Sequence, residues 1–381
     1  MRTNLNKNEN MSHLLNNRKK KALKSKAIFK FGVITLSIVL VACSGGSSDE
    51  AGCPVIEDRK INVVATTPMI GEFVNQVGGD NINLTVIMPP EADPHTYEPA
   101  PQDAGTIADA DLVFYTGLKY EPAAVVKLLE SSACSLDVLA EVGENVYPIE
   151  FKEGGHDDHG DHGEEGHDDH DDEEGHDDEE GHDDEEGHDD EEGHDDHDGH
   201  EGHGHGAYDP HFWFDPNRVA YAAEYIEGKL VEFDPSNASS YEEAGSAYTN
   251  ELKGLIGQVS DLISTVPSQN RKLITTHESL GYLEAKFGLE VLSTIIPSLD
   301  SANEISPAQL VDVIDVIEDN NVKVIFIESE APSVYAETIV SETGIKAVEG
   351  LWVETLKEGQ SYPDFLISAV ELIVENLRNT D

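Results

Sequence analysis

Cysteine is scarce in this chain: three among 381 residues, which leaves room for one disulfide at most. Positive charge is sparse beside negative, with 24 Lys plus Arg against 77 Asp plus Glu and a formal net charge of −53. Nucleic acid and an anionic membrane surface are thereby excluded as partners, because either would repel the chain. No apolar run is long enough to span a bilayer comfortably; the best, Phe31 to Ala42, has twelve residues. Also missing are a His-Glu-x-x-His pair and a Gly-x-Ser-x-Gly turn, the marks of common zinc and serine hydrolases. What is present is enough chain, 41.5 kDa, to bury a large core in one to three domains, two being the starting expectation.

Charge is unevenly distributed. Residues 1–30 hold nine basic residues and one acid, whereas residues 153–205 hold 28 acids and no Lys or Arg. The first segment has the order of an export signal, with a basic stretch Arg18 to Lys30 followed by the apolar stretch to Ala42. Leu40-Val41-Ala42-Cys43 resembles the bacterial lipoprotein processing box, in which the Cys becomes a lipidated N-terminus; the alternative is an ordinary signal peptide with an incidental cysteine. Residues 1–42 are thus expected to be removed, and Cys43 to anchor the protein to a membrane of the cell envelope through a linker, 43–53. The body would lie in the periplasm or the extracellular space, and Ser44 would suit outer-membrane sorting in a cell with two membranes. Cys53 and Cys134 can form one bridge in an oxidising compartment or stay unpaired; the spacing does not decide.

Beyond Ile61 short apolar runs alternate with amphipathic stretches. Ile61–Thr66, Leu84–Met88, Asp111–Thr116, Lys272–Thr276, Glu290–Thr294 and Val322–Ile327 read as buried strands. Met69–Val77, Pro122–Glu130, Ser279–Phe287 and Pro307–Glu318 read as helices between them, so the class is α/β with parallel sheets. One element breaks the alternation. From Ser236 to about Ile263, Tyr241, Tyr248, Leu252, Leu255, Val259 and Ile263 recur at helical spacing, with Ser236 as the expected capping residue. A helix this long serves as a rigid connector, 234–265, between an N-terminal lobe, 54–233, and a C-terminal lobe, 266–381, both Rossmann-like.

Within the first lobe, residues 154–206 lack any large apolar side chain and are expected to be a disordered insert. Gly-His-Asp-Asp-Glu-Glu repeats three times from Gly175. The insert carries His156, His159, His162, His167, His170, His176, His182, His188, His194, His197, His200, His203 and His205. A solvated acidic tether is the plain alternative. Histidines recurring beside carboxylates favour auxiliary, low-affinity metal capture that raises the local ion concentration.

Three histidines remain in the folded part: His95 in Asp93-Pro94-His95-Thr96-Tyr97-Glu98-Pro99, His211 in Asp209-Pro210-His211-Phe212-Trp213-Phe214-Asp215-Pro216, and His277 directly after a strand. A lone histidine is more often structural than a ligand, but two near-identical Asp-Pro-His turns strengthen the case. In open parallel sheets, ligands bind beyond the carboxyl ends of strands, so these imidazoles point to an interlobe cleft. Imidazoles converging from separated positions suit a transition metal, Zn2+ first, with a carboxylate as fourth ligand.

The chain resembles the metal-binding lipoproteins of bacterial ABC importers for zinc and manganese, the cluster A-I solute-binding family with its ZnuA-like and TroA-like members. Besides the two histidine motifs, the resemblance rests on Val63–Met69, Gly78-Gly79-Asp80, Met88–Pro99, Ala110–Leu118 and Thr276–Tyr282. It implies two α/β lobes joined by a long helix, and metal ligands at His95, His211 and His277. The family's fourth ligand is usually Asp; Leu351-Trp352-Val353-Glu354-Thr355-Leu356 puts Glu354 there, one methylene longer. Glu328 is the rival, with a supporting or lobe-closing role as the preferred reading. Glu91 stands where the family usually has Gly. In the family, His at the third position goes with zinc and a carboxylate with manganese, so His277 favours zinc.

The expected function is therefore high-affinity Zn2+ capture outside the cytoplasm and delivery to an ABC permease driven by a cytoplasmic ATPase, without catalysis. A periplasmic metallochaperone is a further conceivable partner, the chain is expected to be a monomer, and it meets the membrane only through its lipid. The alternatives are a manganese or other divalent-metal binding protein, an adhesin or passive buffer with the same site, and a zinc hydrolase, which would need an open coordination position and a general base.

Overall fold

The computed structural model describes residue 53 and residues 59–151, 208–330 and 334–378. The expected export signal, Cys43 and all of the insert 154–206 lie outside the described residues. The first lobe runs β1 (Ile61–Ala65), α1 (Pro68–Gly78), β2 (Ile82–Val86), α2 (Pro101–Ala108), β3 (Leu112–Tyr115), α3 (Ala123–Ser132) and β4 (Leu139–Glu141). Its four strands are parallel in the order β2-β1-β3-β4, with Val63 facing Leu84 on one side and Leu112 on the other. Local chemistry sets the boundaries. Thr67 caps α1 by accepting the N–H of Ile70, Pro68 occupies its first turn, and Gly79 ends it at φ 49.

Next come α4 (Pro216–Phe233) and the 27-residue α5 (Ala238–Ser264), about 40 Å long at 1.5 Å per residue. The second lobe follows as β5 (Lys272–His277), α6 (Gly281–Phe287), β6 (Glu290–Ile296), α7 (Pro307–Asn320), β7 (Val324–Glu328), α8 (Ala336–Thr343), β8 (Lys346–Leu351) and α9 (Tyr362–Leu377). Its strands are again all parallel, in the order β6-β5-β7-β8. Each sheet thus reverses its strand order between its first and third strands in sequence, the switch point beyond which α/β proteins hold ligands.

Two expectations need correction. The edge strand β2 starts two residues earlier than the apolar pattern suggested and is buried only at Ile82. The apolar Ile87 and Met88 follow it, still donating to the carbonyls of Ala65 and Thr66. Ser236 does not cap α5: the N-cap is Asn237, without a side-chain cap, because Ser236, Asn237 and Tyr241 all donate to Asp234 and organise the turn before the helix. The apolar pattern also gives no expectation for α2, α4, α8, α9, β4 and β8. Two of these carry legible signals, Asp215-Pro216 at the start of α4 and Ser361 with Pro363 at the start of α9, where the capping Asp215 and Ser361 accept from the N–H groups of Asn217 and Asp364. β8 has none, since three of its six residues are Lys346, Glu349 and Gly350.

The apolar face of α5, including Tyr241, Tyr248, Leu252, Leu255, Val259 and Ile263, is buried. It packs on α1 and α4 from the first lobe and on α9 from the second. One continuous apolar core consequently crosses from lobe to lobe, with Phe73 edge-on to Tyr362 at 5.4 Å and Phe214 beside Phe365 at 5.8 Å. Cys53 and Cys134 are joined, 81 positions apart in the sequence. Among the described residues no helix is long and apolar enough to cross a membrane.

Candidate metal centre

Two Asp-Pro-His turns are built alike. In the one-turn 3-10 helix Pro94–Thr96, Asp93 Oδ1 accepts the backbone N–H of His95 at 3.0 Å. Asp209 Oδ1 accepts the N–H of His211 at 2.9 Å and lies 2.8 Å from that ring's Nδ1. The aspartate fixes each turn, and in the second turn it also fixes the ring, leaving Nε2 free to face inward. His277 ends β5, and its Nδ1 is held by Glu328 Oε2 at the end of β7. Glu328 is itself fixed by the hydroxyl of Ser279, at 3.2 Å, and by its own N–H donating to Thr276 Oγ1 at 3.0 Å.

All three Nε2 atoms turn toward one oxygen. Glu354 Oε1 lies 3.3 Å from that of His95, 3.2 Å from that of His211 and 2.6 Å from that of His277. The four donor atoms lie within 4.8 Å of one another. A tetrahedron with metal–ligand bonds near 2.0–2.1 Å has edges of about 3.3 Å, which the separations of His95 and His211 from Glu354 match, while that of His277, at 2.6 Å, is shorter. His211, His277 and Glu354 are buried, and the side chain of His95 is only 5% exposed. The Nε2 of His277 is close to Glu354 yet has no aligned hydrogen-bond partner, which suits a nitrogen whose lone pair is meant for an ion. The donor set therefore fits a late first-row divalent metal.

Around this shell stand groups that the sequence reading left without a role. Tyr120, after β3, donates to Glu354 Oε2 at 2.9 Å and to its carbonyl at 3.0 Å. Trp213 Nε1 donates to Val353 O at 2.8 Å. Glu330 Oε1 accepts the consecutive N–H groups of Val353 and Glu354, both at 3.0 Å, and of Thr355 at 3.3 Å. Glu91, the departure from the family's Gly, takes φ 66 and donates its N–H to Leu356 O across the cleft at 3.3 Å. Tyr282 OH donates to Asp209 O at 2.8 Å and accepts from Ile149 N at 3.2 Å. Ile149 and Asp209 thus stand paired where the chain leaves for the insert and returns from it.

Electrostatics follow from burial and charge pairing in the metal-free protein. Burial pulls the pKa of His211 down, but Glu354 and Asp209 outweigh it and raise the ring to about 9. For His277, burial is likewise outweighed by Glu328 and Glu354, and the pKa rises well above 6.5. Burial works to raise Glu354, yet His211, His95 and His277 hold it well below its usual range. Glu330, buried and close to Glu354, is pushed up to about 8. Charge pairing of His211 and His277 with their carboxylate neighbours therefore favours their protonated forms without metal. Glu328 does not join the four converging donors; it orients His277. The longer side chain of Glu354 reaches the imidazoles despite the extra methylene.

Comparisons with known proteins agree with this architecture. A manganese ABC transporter substrate-binding lipoprotein, PsaA, of Streptococcus mitis is 26% identical over 349 residues, covering 89% of this chain and 95% of that protein. The high-affinity zinc uptake system protein ZnuA of Bacillus subtilis is 29% identical over 352 residues, covering 91% and 96%. Among solved structures, the periplasmic zinc binding protein TroA from Treponema pallidum superposes with a TM-score of 0.64 at 20% identity, covering 84% of this chain and all of that one. The fold is thus the two-lobe α/β arrangement of these proteins. The family model described as ZnuA, zinc-uptake complex component A periplasmic, matches residues 63–376, and the chain belongs to that family.

Proposed function

We propose that the protein captures Zn2+ outside the cytoplasm, holds it with His95, His211, His277 and Glu354, and delivers it to the membrane permease of an ABC importer powered by a cytoplasmic ATPase. Relatives named as substrate-binding components of such transporters support the importer role, and they are named for zinc and for manganese alike. The observation that carries zinc is the donor set: three imidazole nitrogens and one carboxylate oxygen meet at a buried point. Tyr120 occupies the second oxygen of Glu354, so the carboxylate offers one atom. Four donors suit a closed zinc tetrahedron, whereas manganese favours six mostly oxygen ligands.

In this reading Cys43 carries the lipid that keeps the protein at the membrane, and the histidines of 154–206 collect ions weakly at the cleft mouth. The flanking residues Ile149 and Asp209 are paired, and Asp209 holds the ring of His211. Metal titration of the intact chain and of one lacking 154–206, with zinc and manganese in competition, tests the proposal. One tight zinc site is expected in both forms, with weaker sites only in the intact chain. Loss of the tight site with the insert would refute the ligand assignment, and tighter manganese than zinc would refute the cargo.

A further inference from the structure

The end of β7 reads Glu328-Ser329-Glu330, and its two carboxylates reach different ligands of the cleft. Glu328 holds His277 by Nδ1. Glu330 grips the backbone beneath Glu354, with a single oxygen collecting three consecutive N–H groups, those of Val353, Glu354 and Thr355. Such a grip fixes the direction of the whole segment, because three neighbouring amides can aim at one acceptor only in a tight, anion-binding turn. The carbonyls of Val353 and Glu354 are taken by Trp213 and Tyr120 from the other lobe, and Glu354 is buried beyond the last residue of β8, so from its own lobe it is Glu330 that holds the segment by its amides. Without Glu330 the three amides would lose their acceptor, and the turn would reorganise to satisfy them.

We infer that Glu330 is a positioning residue of the metal site: by clamping the Val353–Thr355 backbone it holds Glu354 Oε1 at the point where the imidazoles converge. One strand end then organises both ligands of the second lobe, His277 through a side chain and Glu354 through the main chain. Family resemblance in the sequence gave no such role to this position. The inference rests on the proposed ligand set and adds to it the reason why a glutamate in a loop can close the shell.

The test uses the full chain stripped of metal, with Glu330→Ala, Glu330→Asp and Glu330→Gln. Zinc affinity is read against a strong chelator, and the coordination shell by the visible absorption of bound Co2+, which is intense for four-coordinate sites. Glu330→Ala and Glu330→Asp, the latter one methylene too short, are expected to weaken zinc binding tenfold or more and to dim the cobalt band, as loss of an outer support typically does. Glu330→Gln keeps an accepting oxygen and is expected to bind within threefold of the parent, with an unchanged band. If Glu330→Ala does not fold, Glu330→Asp decides alone. The inference is overturned if the Asp variant binds and absorbs like the parent, or if Gln is as damaging as Asp. A merely structural role would lower the melting temperature of the metal-free protein and leave the cobalt band of the bound form untouched, which also overturns it. His277→Ala run alongside separates the two claims: tight binding that survives this change sinks the ligand set itself, whatever Glu330 does.

Discussion

Glu354 presents one oxygen to the imidazoles and the other to the Tyr120 hydroxyl, so a single phenol decides how many atoms the carboxylate can give. Tyr120→Phe frees Oε2. Zinc affinity should fall about tenfold, and the ratio of manganese to zinc affinity should rise, because a two-oxygen carboxylate suits the larger shell. Competition between the two ions reads this directly; an unchanged ratio would mean the hydroxyl has no part in selection. Protonation acts on the same residues. With His211 raised to about 9, the metal-free site carries a proton there at neutral pH that an incoming cation must displace. Zinc binding should therefore release protons, visible as a buffer-dependent heat, and weaken steadily as pH falls. For metal-free stability the sign reverses. A raised histidine stabilises fully below its unfolded value of 6.5 and stops doing so as pH climbs through about 9. The lowered Glu354 stabilises above 4.5 and ceases to as acid protonates it. Denaturation of the metal-free chain should show greatest resistance between about pH 4.5 and 6.5, where both contributions are present. His95 and His211 were readable as candidate ligands, since each Asp-Pro-His turn advertises a directed ring, whereas Glu354 was reached only through the family resemblance. Tyr120, Trp213 and Glu330 were not legible, because only folding brings them to Glu354.

At the scale of elements, the turn between β2 and α2 carries a cost that the sequence only hinted at. Glu91 sits at φ 66, where a side chain costs roughly 1–2 kcal/mol and glycine costs nothing of the kind. Glu91→Gly should stabilise the protein by about 1 kcal/mol, the remainder being offset by the greater freedom of glycine in the unfolded chain. Urea denaturation checks this, and a destabilised variant would show that the Glu91 side chain contributes something the backbone strain hides. The resemblance flagged this position as unusual; the backbone angle supplies the reason. Strands whose apolar runs are buried on both faces, such as β1 and β7, were legible by composition. The edge strands β2 and β8 were shifted or missed, since a half-exposed strand bearing Asn, Thr, Lys or Glu has no continuous apolar run to betray it.

For the whole molecule, the core that continues from α1 and α4 through α5 into α9 makes the two lobes one packed body. Wide separation of the lobes would expose Phe73, Phe214, Tyr362 and Phe365, so metal entry and release should involve the loops bearing the ligands more than a hinge. The Cys53–Cys134 bridge closes a long loop that contains β1 through α3. Its reduction should lower stability by about 4 kcal/mol on the chain-entropy account. Guanidinium unfolding with and without reductant measures it, and equal midpoints would show that the unfolded chain is not appreciably restricted by the link.

Composition, periodicity and the histidine turns by themselves determined the α/β class, the long helix and the directed settings of His95 and His211, because each is written in residues adjacent in sequence or repeating at a fixed interval. Only the tertiary structure decided that the cysteines pair, that Glu354 reaches the imidazoles while Glu328 orients one of them, and that Tyr120 and Glu330 hold Glu354 in place. Those are contacts across tens to hundreds of residues. Their distances arise from how two sheets and four helices pack, and no local pattern encodes a separation that the chain has not yet folded to make.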